Sequence, residues 1–96
     1  MIVARLTADE CRDAAIEALD DLPPWVHERI GEVAVIVEET HPEGLMGIYD
    51  PVGGLQRIVI FRAANPNVDE VRKTVWHEIG HYLGMDEEQL ETLGYG

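Results

Sequence analysis

The sequence predicts an α+β fold: a small three- or four-stranded sheet packed on an N-terminal helix and on a second, longer helix nearer the C-terminus. Two stretches carry apolar residues at three- and four-residue steps behind capping signals, Thr7 with Glu10 and Asn67 with Glu70. Between them lie short β-branched runs bounded by turn residues, of which Glu32 to Glu38 (EVAVIVE) is the clearest. A chain of 96 residues has material for one core only, so residues 1–96 are read as a single domain in which helices cover a sheet.

Each element follows from local signals. In the first helix Cys11, Ala14, Ala15, Ala18, Leu19 and Leu22 share one face, and Pro23 and Pro24 stop it. Trp25 to Ile30 reads as a short helical turn with Pro24 at its start, where a missing N–H costs nothing. Glu32 to Glu38, Leu45 to Tyr49 and Gln56 to Phe61 are strand candidates, and the DPVGG segment before the last has the Pro and Gly of a hairpin connection. The second long helix carries Val68, Val71, Val75, Ile79, Tyr82 and Leu83 as its apolar stripe and ends at Gly84. Asp86 is placed to cap a last short helix through Leu93.

Composition narrows the function. Seven basic against 19 acidic residues give a net charge of −12, a field that repels phosphate backbones and anionic headgroups. Nucleic acid and membrane surfaces are therefore excluded as partners, whereas metal cations and basic peptides fit. Cys11 is the sole cysteine, which rules out an intrachain disulfide and a cysteine-based zinc site. No apolar run approaches the roughly 20 residues of a transmembrane helix, and MIVARLTADE lacks the apolar stretch of a signal peptide, so a cytoplasmic location is expected.

The chemistry lies on the second helix, in His77-Glu78-Ile79-Gly80-His81, an HExxH motif. At about 100° per residue the two histidines project together, away from the centre of the Val68/Val71/Val75/Ile79 stripe. Two imidazoles four residues apart can direct nitrogens to one Zn²⁺, and the glutamate between them reaches a water activated by the metal without being a ligand. A catalytic zinc needs a third protein ligand. In the HExxHxxGxxH pattern that ligand stands ten residues after the first histidine, a position that here is Glu87, with Asp86 beside it as the alternative.

HEIGHYLGMDEEQLETLGY resembles the signature of the small bacterial zincin-like metallopeptidase family, and a weaker likeness runs upstream through ALDDLP, VAVIVEE, MGIYD and IVIFR. The resemblance implies a minimal zincin-like domain. It also implies that the Leu45 to Tyr49 strand binds a peptide substrate by edge addition, against the plainer reading of an ordinary sheet strand. The chain departs from the family at Trp76, where a smaller residue is usual, and at DPVGGLQ, where a longer connection is usual.

Residues and resemblance together point to a zinc-dependent metallopeptidase with one Zn²⁺ per chain, held by His77, His81 and Glu87, acting on a peptide or protein substrate. Glu78 is the general base that takes the proton of the attacking water and passes it to the leaving amine. Tyr49, Tyr82 and Tyr95 are possible oxyanion donors, with Tyr82 more at home in the core. His27 and His41 are isolated and read as surface residues. Two rivals remain: a zincin-fold zinc module that binds peptide or protein without turnover, and a metal hydrolase acting on other amides or on RNA, the last opposed by the acidic charge.

Overall fold

In the computed structural model, which describes residues 5–51, 55–86 and 88, helix α1 runs over Ala8–Asp20. It opens on the expected capping box. Thr7 Oγ1 accepts from the Glu10 amide at 3.1 Å and the Glu10 carboxylate accepts from the Thr7 amide at 2.9 Å. These bonds hold the Glu10 carboxyl below the usual carboxylate range, the backbone bond contributing most. All six residues of the α1 face, Cys11, Ala14, Ala15, Ala18, Leu19 and Leu22, are buried. Helix α2 occupies Pro24–Ile30 with Pro24 at its first turn, as expected, and Gly31 leaves it at φ 66°, a conformation glycine tolerates.

The sheet contains strands β1 (Val33–Glu38), β2 (Gly47–Tyr49) and β3 (Gln56–Phe61) in the order β1-β3-β2. β1 lies parallel to the central strand β3, and β2 lies antiparallel to it. Among the described residues the sheet is therefore mixed and three-stranded, the smaller of the two expected sizes. The β2–β3 pairing is that of a hairpin; most of its DPVGG connection falls outside the described residues. β2 is shorter than the Leu45 to Tyr49 strand anticipated, because the chain bends at Met46, and Leu45 and Met46 are left exposed.

Helix α3 covers Val68–Tyr82 behind a single turn of 3-10 helix at Arg62–Ala64. Asn67 caps it by accepting from the Glu70 amide at 2.9 Å. Only this half of the second capping box forms, and the Glu70 side chain lines a cleft described below. Val71, Val75 and Ile79 are buried against Ile58 and Ile60 of β3 and the alanine face of α1, which makes α1 and α3 one layer on one face of the sheet. Two residues of the expected stripe are not core: Val68 and Tyr82, at the two ends of the helix, stand 48% and 45% exposed.

Trp76 accounts for its own departure from a smaller residue. Its indole N–H donates to the Ala18 carbonyl at 2.9 Å, its ring lies under the Arg72 guanidinium at 4.2 Å, and Arg72 pairs with Asp21 at 2.7 Å. The indole thus joins α3 to the C-terminal end of α1. Among the described residues no helix is long and apolar enough to cross a membrane.

Candidate metal centre

The end of α3 is built by a complete Schellman motif. The Gly84 amide bonds to the His81 carbonyl at 3.0 Å, the Met85 amide reaches back to the Gly80 carbonyl at 2.9 Å, and Gly84 takes φ 91°. This turn brings the Met85 carbonyl beside the second histidine. His81 Nδ1 stands 3.1 Å from that carbonyl, which can only accept, so Nδ1 is the donor and Nε2 is the nitrogen left to face His77. The sequence alone indicates the glycine stop but not this consequence of it.

The two imidazoles converge. His81 Nε2 and His77 Nε2 are 3.1 Å apart, with ring centroids at 4.5 Å and planes at 80°. Two nitrogens each bonded to a tetrahedral zinc at about 2.05 Å would stand about 3.3 Å apart, so the pair already has nearly the separation that ion requires. The donor set therefore fits a borderline-soft divalent cation, and the Met85 carbonyl supplies the outer hydrogen bond that orients a ligating imidazole. Asp86 is exposed and follows the turn directly. Among the described residues no third His, Cys, Asp or Glu completes a cluster with the pair. Glu87, the expected third ligand, lies outside the described residues, as do Tyr95 and, apart from residue 88, the last expected helix.

Glu78 is half-buried and faces a cleft of about 440 Å³ between α3 and the start of β2. The floor of this cleft is Gly47, a position that no local sequence signal singles out. A Cβ at Gly47 would lie 2.6 Å from the Thr74 methyl carbon and 3.1 Å from the Val59 carbonyl oxygen, with Glu78 Cγ at 3.6 Å. Only a residue without a side chain lets β2 approach the helix this closely. Leu45 and Met46 form the exposed apolar lip, and Glu70, Lys73 and His77 line the helix side.

β2 is an edge strand, and its hydrogen-bond phase can be fixed. Phe61 N–H donates to the Met46 carbonyl at 3.0 Å and Asp50 N–H to the Arg57 carbonyl at 2.8 Å, so positions 46 and 50 bond inward to β3. Alternation in an antiparallel ladder then turns the amide and carbonyl of Gly47 and Tyr49 to the open edge.

Of the tyrosines, Tyr49 donates its hydroxyl to Gln56 Oε1 at 2.7 Å, and its ring lies 4.5 Å from the Tyr82 ring. Burial, with the Tyr82 phenol adding to it, pushes the Tyr49 hydroxyl up to about 12. Tyr49 is thereby engaged away from the histidines, and Tyr82 is exposed on the helix end and not in the core. His41 is half-buried, its Nδ1 accepting from the Glu43 amide at 3.0 Å and its ring meeting Phe61 edge-on at 5.2 Å. His27 is half-buried on α2.

Compared with known proteins, residues 53–96 match the model of a family described as zincin-like metallopeptidase. The matched stretch holds β3, α3 and the turn after it, and so bears out the resemblance carried by HEIGHYLGMDEEQLETLGY. It stops short of α1, α2, β1 and β2, where the likeness is weaker. No curated protein matches the chain.

Proposed function

Taking the zincin-like metallopeptidase match over residues 53–96 as premise, we propose that this protein is a zinc-dependent peptidase in which α3 supplies two of the three metal ligands and the base. The observation that carries the reading is the 3.1 Å approach of the His77 and His81 Nε2 atoms, with Glu78 between them facing a cleft that an edge strand borders. His77 and His81 would hold the ion, with Glu87 as third ligand ten residues after His77. Zinc held there would supply polarisation of the scissile carbonyl and a water of lowered pKa.

The chain's own residues do the rest. An extended peptide lies along the open edge of β2, its backbone bonding to the outward amide and carbonyl of Gly47. Its neighbouring side chains meet the apolar lip of Leu45 and Met46. Glu78 takes the proton of the attacking water and delivers it to the departing amine, which cannot leave as an anion. The net charge of −12 favours both the cation and basic peptides over nucleic acid.

The test is metal analysis of protein purified without chelator, followed by cleavage of an unbiased peptide library with and without chelator. Glu78→Gln keeps the hydrogen-bonding shape and removes the base, so it should retain zinc and lose at least about 10²-fold in cleavage. Full activity in Glu78→Gln would exclude it as the base. Zinc bound by a wild type that cleaves nothing would make the domain a non-catalytic peptide- or protein-binding module instead.

A further inference from the structure

Two buried polar residues lie behind the candidate cleft, and the reading above gives neither a role. Asn65 is fully buried and Thr74 nearly so. The Asn65 amide nitrogen donates to the Met46 carbonyl at 2.9 Å and to the Phe61 carbonyl at 2.7 Å, while its Oδ1 accepts the Thr74 hydroxyl at 2.6 Å. The Met46 carbonyl also accepts from Phe61 N–H at 3.0 Å. One asparagine therefore joins the residue that leads into β2, the last residue of β3 and the middle of α3.

Thr74 has two contacts with separate consequences. Its hydroxyl closes the asparagine network, and its methyl carbon rests against Gly47, the position where the strand and the helix come closest. It stands one helical turn before Glu78, on the same face. Met46, Gly47, Thr74 and Glu78 all line the cleft, and Asn65 bonds to two of them, the Met46 carbonyl and the Thr74 hydroxyl.

Resting on the metallopeptidase reading, we propose that Asn65 and Thr74 are positioning residues, a buried clamp that fixes edge strand β2 relative to Glu78 and so sets where an extended peptide backbone meets that carboxylate. Neither touches the reacting atoms. A half-made network would be worse than none, because an unpaired amide oxygen buried here carries its full desolvation cost.

Thr74→Val keeps the branched shape against Gly47 and removes only the hydroxyl; Thr74→Ser keeps the hydroxyl. In Thr74→Val, amide exchange at Phe61 should quicken by about 10-fold or more while the α1 amides stay at the wild-type rate. Zinc affinity should hold within about 2-fold, and KM for a library peptide should rise by about 10-fold or more, with Thr74→Ser restoring it. Unchanged exchange at Phe61, an unchanged KM, or a KM that Thr74→Ser does not restore would each overturn the clamp. Exchange that quickens equally in α1 would also overturn it, as plain destabilisation. If zinc-loaded wild type engages no peptide, the peptidase reading fails, and the Phe61 exchange of Thr74→Val still decides whether the pair holds β2.

Discussion

At the scale of single residues, the third ligand is the sharpest question. The turn after α3 is tight enough that the Met85 carbonyl comes back to His81 at 3.1 Å, and Asp86 follows it directly. Glu87→Ala should weaken zinc binding by at least about 10- to 100-fold, the effect of losing even outer support. Asp86→Ala, at the position expected to cap the last helix, should cost about 1 kcal/mol of stability and keep the metal. Competition with a chromogenic chelator separates them, and the reverse pattern would move the assignment by one residue. Gly47 gives a second prediction at this scale. A methyl group there meets the Thr74 methyl at 2.6 Å and a backbone oxygen at 3.1 Å, of which the second cannot rotate away. Gly47→Ala should therefore cost about 1 to 3 kcal/mol in urea unfolding. It should also widen the cleft, so a variant that unfolds like wild type and binds peptide equally well would contradict the close approach of β2.

At the scale of elements, what could be read from the sequence was whatever is locally encoded. α1 is announced by Thr7 and Glu10 and ended by Pro23, and β1 and β3 are β-branched runs that no helix would choose. The histidine pair was equally plain, since a four-residue spacing on a helix fixes its own geometry. What stayed hidden depends on elements distant in sequence. Gly47 means nothing until β2 is laid on α3, and Trp76 looks like an anomaly until Ala18 offers it a carbonyl 58 positions away. Asn65 carries no local signal, yet it is completely buried where three elements meet.

Tyr49 and Tyr82 join β2 to α3 in the same non-local way, and their contact predicts an alkaline limit. The phenol of Tyr49 ionises near 10 when unfolded and near 12 in the folded chain. Below about pH 10 both states keep the proton and stability is unaffected; between about 10 and about 12 the unfolded chain binds fewer protons, so stability falls as pH rises. Denaturant titrations across this window should show the decline in wild type and a shallower one in Tyr49→Phe. Equal slopes would show that the phenol is not held neutral by the fold.

At the scale of the whole molecule, 19 acidic residues on a chain of 96 repel one another in the compact state. Any cation relieves part of that repulsion by screening, so a rise in stability on adding a metal salt does not by itself reveal a site. A specific site differs because it binds the folded chain only. Saturation to about 100 times Kd then adds about 2.7 kcal/mol, whatever the ionic strength contributes. In a domain of this size each kcal/mol moves Tm by about 4 to 8 °C. Zinc at micromolar excess should raise Tm by more than about 10 °C, chelator should reverse the rise, and magnesium at equal concentration should not reproduce it, since an imidazole pair is a poor site for a hard oxygen-seeking ion. His81→Ala removes one of the two converging nitrogens and leaves the acidic surface intact, so it isolates the site from the field. If zinc stabilises His81→Ala as much as wild type, the effect belongs to the charge of the whole molecule and the histidine pair is not its metal centre.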